Sequence, residues 1–256
     1  MGSATHREPL VIEGVEVVPL CDAVGEMAGS LRLPVEETFL GGTAQDWAGL
    51  SPLAWVLHFH CYLLRSPGGR IVLVDTGIGG ANSPAAVWAP VPGRLLDELV
   101  RVGVGPEDVD CVVLTHLHSD HSSGAVLNGV PAFPNARYVL QQAELSAATA
   151  AIHQTVVEPL RDNLHVMDGS ATVAPGVSIV PTPGHTPGHQ SIGVGDLVIS
   201  GDVVLHPVQL RNPAITYVYD DDPALAAQTR RNLLDDLRRR GGSIATGHFA
   251  EPFIRL

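Results

Sequence analysis

Residues 115–121 carry the feature that most restricts what this chain can fold into. The stretch reads Thr-His-Leu-His-Ser-Asp-His, so four side chains that can bind a metal fall within six positions, in the order H-x-H-x-D-H. The apolar run 112–114 before it is typical of a buried strand, and residues 122–124 suit a turn or a helix start. Imidazole suits zinc and its neighbours, and a carboxylate suits the harder metals of that group. The alternative is a surface cluster held only by hydrogen bonds, and the rest of the chain argues against it.

Three later apolar runs each lead to a glycine that is followed at once by another residue that can bind a metal. A glycine there lets the backbone turn sharply and carry the next side chain over the sheet edge, where open sheets usually build their sites. The runs are 177–180, 196–200 and 243–246, and the residues are His185, Asp202 and His248. Three such coincidences, added to the first motif, indicate one metal centre. Its seven ligands would be His116, His118, Asp120, His121, His185, Asp202 and His248.

The composition excludes several other classes of protein. With 256 residues and 45% hydrophobic content, the chain can bury a core as one large domain or two small ones. A formal net charge of -12 argues against nucleic acid or an anionic membrane as a partner. No lysine occurs, which removes a Schiff-base lysine and a Walker lysine from consideration. No apolar run of about 18 residues occurs and the polar start is unlike a signal peptide, so we expect a soluble cytoplasmic protein.

The cysteines and one further pair of histidines have structural interpretations. Cys21, Cys61 and Cys111 are scattered without a C-x-x-C pair, which argues against a disulfide framework or a zinc ribbon. Cys111 is most simply a small buried hydrophobe. His58 and His60 lie two apart in an apolar run, hence on one face of a strand, with no further ligand after them. We interpret this pair as core or cleft-wall residues rather than as metal ligands.

Hydrophobic periodicity predicts an alternation of strands and helices. The predicted strands are 10–20, 54–65, 70–75, 110–114, 137–141, 177–180, 196–200 and 243–246, with a hairpin joining the second and third. The predicted helices are 93–103 and a stretch from about 143 to 164 that is interrupted near Pro159. His153 and His165, in that region, are interpreted as surface or packing residues. Residues 21–53 are too long and irregular for an ordinary connection and predict a functional loop or an active-site lid.

The spacing of these ligands resembles that of the metallo-β-lactamase-fold hydrolases, whose pattern is H-x-H-x-D-H followed by a distant His, Asp and His. The match covers residues 54–250 and includes Val-Asp-Thr-Gly at 74–77. The resemblance implies one α/β domain over 1–256, a four-layer αβ/βα sandwich of two mixed sheets with helices outside. It also implies that Asp202 bridges two divalent metal ions. One ion would be bound by His116, His118 and His185, and the other by Asp120, His121 and His248.

Within that superfamily, the chain is most similar to the N-acyl homoserine lactonase and methyl parathion hydrolase groups. The β-lactamases of this fold generally carry cysteine at the position of Asp202, and glyoxalase II needs a helical domain after its last ligand, where only eight residues follow here. Flavodiiron members replace the second histidine of the motif with glutamate. The chain also lacks the tyrosine that follows the bridging aspartate in the lactonases, so His206 is the nearest polar candidate for the catalytic group that contacts the substrate oxygen.

These features predict a dinuclear hydrolase in which a metal-bridging hydroxide attacks a neutral lactone, ester or phosphotriester. Asp120 would move the proton as the second catalytic residue. Zinc is the first expectation for the metal, with manganese, iron or cobalt as alternatives. A thioesterase of the same fold and a mononuclear iron oxygenase of the persulfide-dioxygenase kind are the alternative functions. Phe39 and Trp47 are expected to line an apolar entrance that admits a neutral small molecule. A homodimer is a further alternative for the assembly.

Overall fold

Two mixed β-sheets form the centre of the computed structural model, which describes residues 8–51 and 54–256. The first sheet has seven strands whose spatial order is the chain order. They are Leu10–Ile12, Val15–Gly25, Leu57–Arg65, Ile71–Val74, Cys111–Val113, Arg137–Gln141 and Leu164–Met167. The first four strands pair antiparallel and the last four pair parallel.

The second sheet has six strands, also in chain order. They are Ala171–Ala174, Val177–Pro181, Gln190–Val194, Leu197–Ile199, Ser243–Ala245 and Phe253–Arg255. All neighbours pair antiparallel except Leu197–Ile199 with Ser243–Ala245, which are parallel. Two short pairs complete the strands: Phe39–Leu40 with Thr216–Tyr217, and Val126–Leu127 with Val130–Pro131.

Successive side chains along each strand point to opposite faces of the sheet, and this explains why the two sheets stack. In the strand Leu57–Arg65, Tyr62 and Leu64 point to the second sheet, while Cys61 and Leu63 point to the helices outside. This period of two gives the first sheet two apolar faces, and both must be covered. The inner face packs on Ile179, Ile192, Val194 and Ile199 of the second sheet, among others. Cys111 is buried in this core, as predicted.

Helices cover the outer faces and complete the predicted four-layer sandwich. The α-helices are Val35–Thr38, Leu95–Arg101, Ser119–Ser122, Gln142–Ala147, Ala150–Ile152, Glu158–Leu160, Pro207–Arg211 and Pro223–Arg240. A π-helix spans His153–Val157, and short 3-10 helices span Gly29–Leu31, Pro84–Val87, Pro106–Asp108, Ser123–Ala125 and Gly201–Val203. Leu99 and Leu160 pack on the outer face of the first sheet. Leu234 and Leu237 pack on that of the second.

Several boundaries differ from the sequence prediction for local reasons. The predicted strand 10–20 is two strands, because Glu13 and Gly14 both take a positive φ and form a tight turn of the kind that joins hairpins. The second of these strands continues to Gly25, into the segment predicted to be a lid. That segment, 21–53, also holds a 3-10 helix and the helix Val35–Thr38, and its residues 52 and 53 lie outside the described residues, as do residues 1–7 of the predicted domain.

The predicted helix at 143–164 is wrong at its end and in its continuity. It consists of short helical pieces, and the strand Leu164–Met167 follows from residue 164 onwards. His153 and His165 are exposed, as predicted. Three strands of the second sheet were not predicted, because Ala171–Ala174, Gln190–Val194 and Phe253–Arg255 are short and two of them mix polar with apolar residues. Among the described residues, no helix is long and apolar enough to cross a membrane.

Candidate metal centre

The seven predicted ligands lie together at one edge of the sandwich. The strand Cys111–Val113 leads into the H-x-H-x-D-H motif, whose last residues form the helix Ser119–Ser122. The second sheet brings the other three ligands to the same place. These are His185, Asp202 and His248, which follow the strands Val177–Pro181, Leu197–Ile199 and Ser243–Ala245.

Glycine is required before two of these three ligands. Gly184 has a φ of 132° and Gly201 a φ of 50°, and a Cβ at Gly184 would collide with the backbone of Ala226. A Cβ at Gly201 would lie 2.6 Å from Nε2 of His189. Gly247 has no positive φ, and a Cβ there would come no closer than 3.4 Å to a neighbour. The predicted need for glycine is therefore confirmed at 184 and 201, but not at 247.

The first ligand group brings three imidazoles to one oxygen of Asp202. Nε2 of His185 lies 3.0 Å from Nδ1 of His118 and 3.3 Å from Oδ2 of Asp202. Nε2 of His116 lies 3.8 Å from the same oxygen. Two ligands of a tetrahedral zinc ion, each about 2.0–2.1 Å from the metal, are about 3.3 Å apart. The spacing of this group therefore fits a metal ion.

The second ligand group meets the other oxygen of Asp202. Nε2 of His121 lies 3.2 Å from Oδ1 of Asp202 and 3.3 Å from Oδ2 of Asp120. Nε2 of His248 lies 3.3 Å from Oδ1 of Asp202 and 3.4 Å from Oδ2 of Asp120. Asp202 thus contributes one oxygen to each group, which is the arrangement of a bridging carboxylate.

Four of the five histidines are held in the tautomer that a metal requires. In each, Nδ1 donates a hydrogen bond, so Nε2 points into the centre and is the nitrogen that can offer its lone pair to a metal. The partners of His116, His121, His185 and His248 are Thr115 Oγ1 at 3.0 Å, Asp75 Oδ2 at 2.8 Å, Asp220 Oδ1 at 2.9 Å and the His58 carbonyl at 2.9 Å. This outer layer fixes the direction of each ring before any metal binds.

Buried atoms without partners test whether these residues suit metal ions. Nε2 of His116, Nε2 of His121 and Oδ1 of Asp202 are buried and have no hydrogen-bond partner among the described residues. Leaving such atoms unsatisfied costs about 1–3 kcal/mol each, and more for a charged group. All three atoms converge on the centre. The donor set, imidazole nitrogens and carboxylate oxygens, is one that divalent transition metals bind, so the residues fit.

The charge distribution of the metal-free centre splits its histidines into two groups. Burial lowers the pKa of His185, but hydrogen bonds and charges from Asp202 and Asp220 outweigh it and raise that pKa to about 9. The pKa values of His121 and His248 are likewise raised by nearby carboxylates against the effect of burial. By contrast, burial and neighbouring imidazoles lower the pKa of His118 to about 4. In the metal-free centre, protons on His121, His185 and His248 therefore supply the positive charge that metal ions would supply when bound.

This balance predicts how the stability of the metal-free protein depends on pH. A raised histidine pKa adds stability that is complete below about pH 6.5 and is lost as the pH rises through about 9, the value for His185. We therefore expect the free energy of unfolding of chelator-treated protein to fall between pH 6.5 and 9. Urea unfolding at both pH values tests this, with zinc-loaded protein as the control, since a bound ion replaces the protons. A metal-free protein that gains stability over this range would contradict the assignment.

Several residues of the centre were not predicted from the sequence. His189 is fully buried, and its Nε2 accepts a hydrogen bond from the amide of Asp202 at 3.0 Å. Burial lowers the pKa of His189 to about 3, so it stays neutral and can accept. Asp220 lies between His185 and Arg230. The buried Arg230 has its Nη2 3.7 Å from Oδ2 of Asp220. A second Gly-His pair four residues after His185 was the only sequence signal for His189, and Asp220 had none.

An apolar cavity opens directly onto the centre. Its polar lining consists of the ligands His118, Asp120, His185, Asp202 and His248 together with Ser119. The rest of its lining is Met27, Leu31, Trp55, Leu57, Trp88, Leu205, Tyr217 and Tyr219, and no arginine of the described residues is among them. Met27 and Leu31 come from the segment 21–53. The hydroxyl of Tyr219 donates to the carbonyl of Leu31 at 3.4 Å and so ties that segment to the cavity wall.

Three predicted site residues lie one layer behind this cavity. Phe39 is 1% exposed and packs against Trp55 and Tyr217, with ring centroids 5.0 and 5.2 Å apart. Trp47 packs on the ring of His206 at 5.5 Å. Nδ1 of His206 accepts from the amide of Val208 and caps the helix Pro207–Arg211. Phe39 and Trp47 therefore support the residues that line the cavity, and the ring of His206 is taken up by helix capping and packing.

The fold and this centre define the class of the protein. The profile of the metallo-beta-lactamase superfamily matches residues 56–248. The chain belongs to that superfamily.

The curated relatives of the chain carry the name of one smaller group within this superfamily. It is 38% identical to an N-acyl homoserine lactonase of a Bacillus species over 160 residues, which cover 57% of this chain and 61% of the relative. It is 35% identical to the N-acyl homoserine lactonase AiiA of Bacillus thuringiensis subsp. kurstaki, with the same coverage. The chain thus spans about three fifths of the length of the curated relatives that it matches.

Two solved structures share the whole fold at low identity. The hydrolase AbOPH of the beta lactamase superfamily has a TM-score of 0.79 and 22% identity, covering 100% of this chain and 98% of its own. AidC, described as a dizinc quorum-quenching lactonase in complex with a product, has a TM-score of 0.81 and 18% identity over the same shares. At these identities the likeness concerns the fold, and it extends beyond the stretch shared with the curated relatives.

Proposed function

We propose that this chain is a dinuclear metal-dependent hydrolase that opens a neutral lactone carrying an apolar acyl group. The observation that carries the proposal is the bridging position of Asp202, whose two oxygens each lie within 3.2–3.8 Å of two imidazole nitrogens. A mononuclear iron oxygenase would need fewer ligands than the seven that meet here. The residues that would hold the ions are His116, His118 and His185 on one side, and Asp120, His121 and His248 on the other, with Asp202 between them.

Two divalent ions, for which zinc is our first choice, would supply a hydroxide nucleophile at neutral pH and polarise the carbonyl of the substrate. The chain itself supplies the proton transfer. Asp120 lies on the cavity wall, and in the metal-free centre the charges of His121 and His248 outweigh burial and keep its pKa below the ordinary value. Bound cations would take over this role when the histidines act as neutral ligands. Asp120 therefore stays ionised and can accept the proton of the attacking water and deliver it to the leaving oxygen.

Tyr217 is the group that we propose contacts the substrate oxygen, in place of His206. It lines the cavity beside His185, with ring centroids 6.0 Å apart. Its hydroxyl makes no hydrogen bond to any residue that the structure describes, although the side chain is only 6% exposed. Burial and the charge of Asp202 raise its pKa well above the ordinary value, so the phenol stays protonated and can donate a hydrogen bond to the substrate.

Replacing Tyr217 by phenylalanine tests this role. We expect kcat/KM to fall by about 10- to 100-fold, the order of one lost neutral hydrogen bond to a reacting oxygen, while the metal content stays unchanged. Tyr219→Phe is the matched control, because Tyr219 lines the same cavity but its hydroxyl donates a hydrogen bond to the carbonyl of Leu31. Equal losses in the two variants would remove Tyr217 from this role.

The lining of the cavity suggests the class of substrate. Trp55, Trp88 and Leu205 provide an apolar wall, and among the described residues no arginine lines it to bind an anion. The relatives named N-acyl homoserine lactonases point to a lactone ring with an acyl chain. We propose that the ring lies at the centre and the acyl chain lies along this wall, with Met27 and Leu31 of the segment 21–53 forming part of its mouth.

A substrate panel measured on the metal-loaded enzyme tests the proposed function. We expect N-acyl homoserine lactones to have the highest kcat/KM, followed by neutral aryl esters and phosphotriesters. Thioesters belong in the panel because a thioesterase is the nearest alternative. Phosphomonoesters and carboxylate-bearing β-lactams should be poor, because the net charge of -12 repels anions and no arginine of the described residues lines the cavity to bind them. Best turnover of a multiply charged phosphate would contradict the proposal.

A further inference from the structure

A second cluster of metal-binding side chains lies outside the seven-ligand centre. Cys21 and His60 face each other across the antiparallel strands Val15–Gly25 and Leu57–Arg65. The pairing shifts by one residue directly after Cys21, which is a β-bulge, and such bulges redirect side chains. Together with His58, these residues bring one ligand atom each to within 4.8 Å of one another.

His60 is already oriented as a metal ligand. Its Nε2 lies 2.8 Å from the carbonyl of Phe249, so Nε2 carries the proton and Nδ1 carries the lone pair. Nδ1 is buried and has no partner among the described residues, in a side chain that is only 7% exposed. A buried imidazole with one nitrogen on a carbonyl and the other unsatisfied is the usual state of a metal-binding histidine without its metal.

The other two side chains have suitable spacing and access. Sγ of Cys21 lies 3.7 Å from Nδ1 of His58. In a tetrahedral zinc site, with Zn–S about 2.3 Å and Zn–N about 2.0–2.1 Å, sulfur and nitrogen are about 3.6 Å apart. Cys21 and His58 are half-buried, so a cation can reach them from solvent.

A Cys–His nucleophile is the competing interpretation of this pair. A catalytic cysteine needs a thiolate stabilised by a nearby positive charge. Burial instead raises the pKa of the Cys21 thiol to about 11 and lowers the pKa of His58, so neither partner carries a charge at neutral pH. A bound cation changes this balance, because it displaces the thiol proton and stabilises the thiolate directly.

We propose that Cys21, His58 and His60 form a third metal site, which takes a thiophilic divalent cation such as zinc with one coordination position open to solvent. The site adjoins the seven-ligand centre, because the carbonyl of His58 accepts the hydrogen bond from Nδ1 of His248 at 2.9 Å. The amide of His60 likewise donates to the carbonyl of Gly247 at 2.9 Å. An ion there would tie the strand Val15–Gly25 to the strand Leu57–Arg65, whose backbone orients His248.

Cobalt(II) titration of the metal-free protein tests the third site directly. The seven-ligand centre contains no sulfur, so a thiolate-to-cobalt charge-transfer band can come only from a cysteine. Cys61 and Cys111 are at most 2% exposed within the core. We expect the band to reach its full intensity at three cobalt ions per chain, and to be lost in Cys21→Ser and in His60→Gln. His165→Gln, an exposed histidine on the last strand of the first sheet, is the matched control and should keep the band.

The outcomes separate this proposal from the proposed hydrolase. A band that is retained in Asp202→Ala shows that the third site fills without the bridging carboxylate. No band at saturating cobalt would overturn the third site, and so would a band that survives Cys21→Ser, whether or not lactones are hydrolysed. Conversely, a protein that shows the band but hydrolyses no substrate would contradict the proposed function alone.

Discussion

Replacement of Asp202 by alanine is expected to remove both ions of the seven-ligand centre and all metal-dependent turnover. Each oxygen of this carboxylate lies 3.2–3.3 Å from imidazole nitrogens of a different group, so one substitution removes a ligand from both sites. It also removes the negative charge that balances two cations in a buried environment. Metal analysis after dialysis, together with lactone hydrolysis, measures the effect.

The control for this prediction is a residue that contacts only one ligand. Asp220 accepts from Nδ1 of His185 and from no other ligand of the centre. We expect Asp220→Asn to lower the affinity of the first site alone by about 10- to 100-fold, the usual effect of a lost outer hydrogen bond on a metal ligand. If Asp202→Ala loses only one ion, the carboxylate does not bridge, and the dinuclear assignment fails.

The meeting of the seven candidate ligands at one edge was predictable from the sequence because each ligand segment follows an apolar run. A strand that ends in a ligand is a local pattern, and parallel strands bring such ends to one edge. The H-x-H-x-D-H motif needs only one turn of chain to place four ligands together. The fold class followed from the same residues through the family resemblance, and the two mixed sheets confirm it.

The outer layer and the cavity could not be predicted, because they depend on contacts between distant parts of the chain. Asp75, which follows the strand Ile71–Val74, contacts His121 from 46 residues earlier in the chain, and Asp220 contacts His185 from 35 residues later. Trp88 joins the cavity through a hydrogen bond from its indole to Ser119, 31 residues away. No periodicity in the sequence records such pairs, because each joins residues at least 31 positions apart.

Local context also changed the roles of residues that had been identified by type. The sequence indicates His206 because it is the nearest polar candidate after Asp202, where the lactonase tyrosine is missing. In the structure Nδ1 of His206 caps a helix that begins with Pro207, and the ring packs on Phe39 and Trp47 and does not line the cavity. His58 and His60 were interpreted as core or cleft-wall residues, and the burial of His60 agrees. What the sequence could not show is that a bulge in the neighbouring strand places Cys21 beside them.

The second large effect is expected from Asp120→Asn, which separates proton transfer from metal binding. Asparagine keeps an oxygen that can still coordinate the second ion, but it cannot accept a proton at neutral pH. We therefore expect most of the metal to be retained and kcat to fall by about a hundredfold or more, the scale of general acid–base help.

Asp75→Asn gives the matched comparison for Asp120→Asn, because Asp75 contacts His121 but does not line the cavity. Its substitution should weaken metal binding, so that added zinc restores turnover. The loss in Asp120→Asn should persist at saturating zinc, since the missing function is a proton acceptor and not a ligand. Turnover of Asp120→Asn that recovers with zinc would reduce Asp120 to a metal ligand, and the proton would then have to move through another group on the cavity wall.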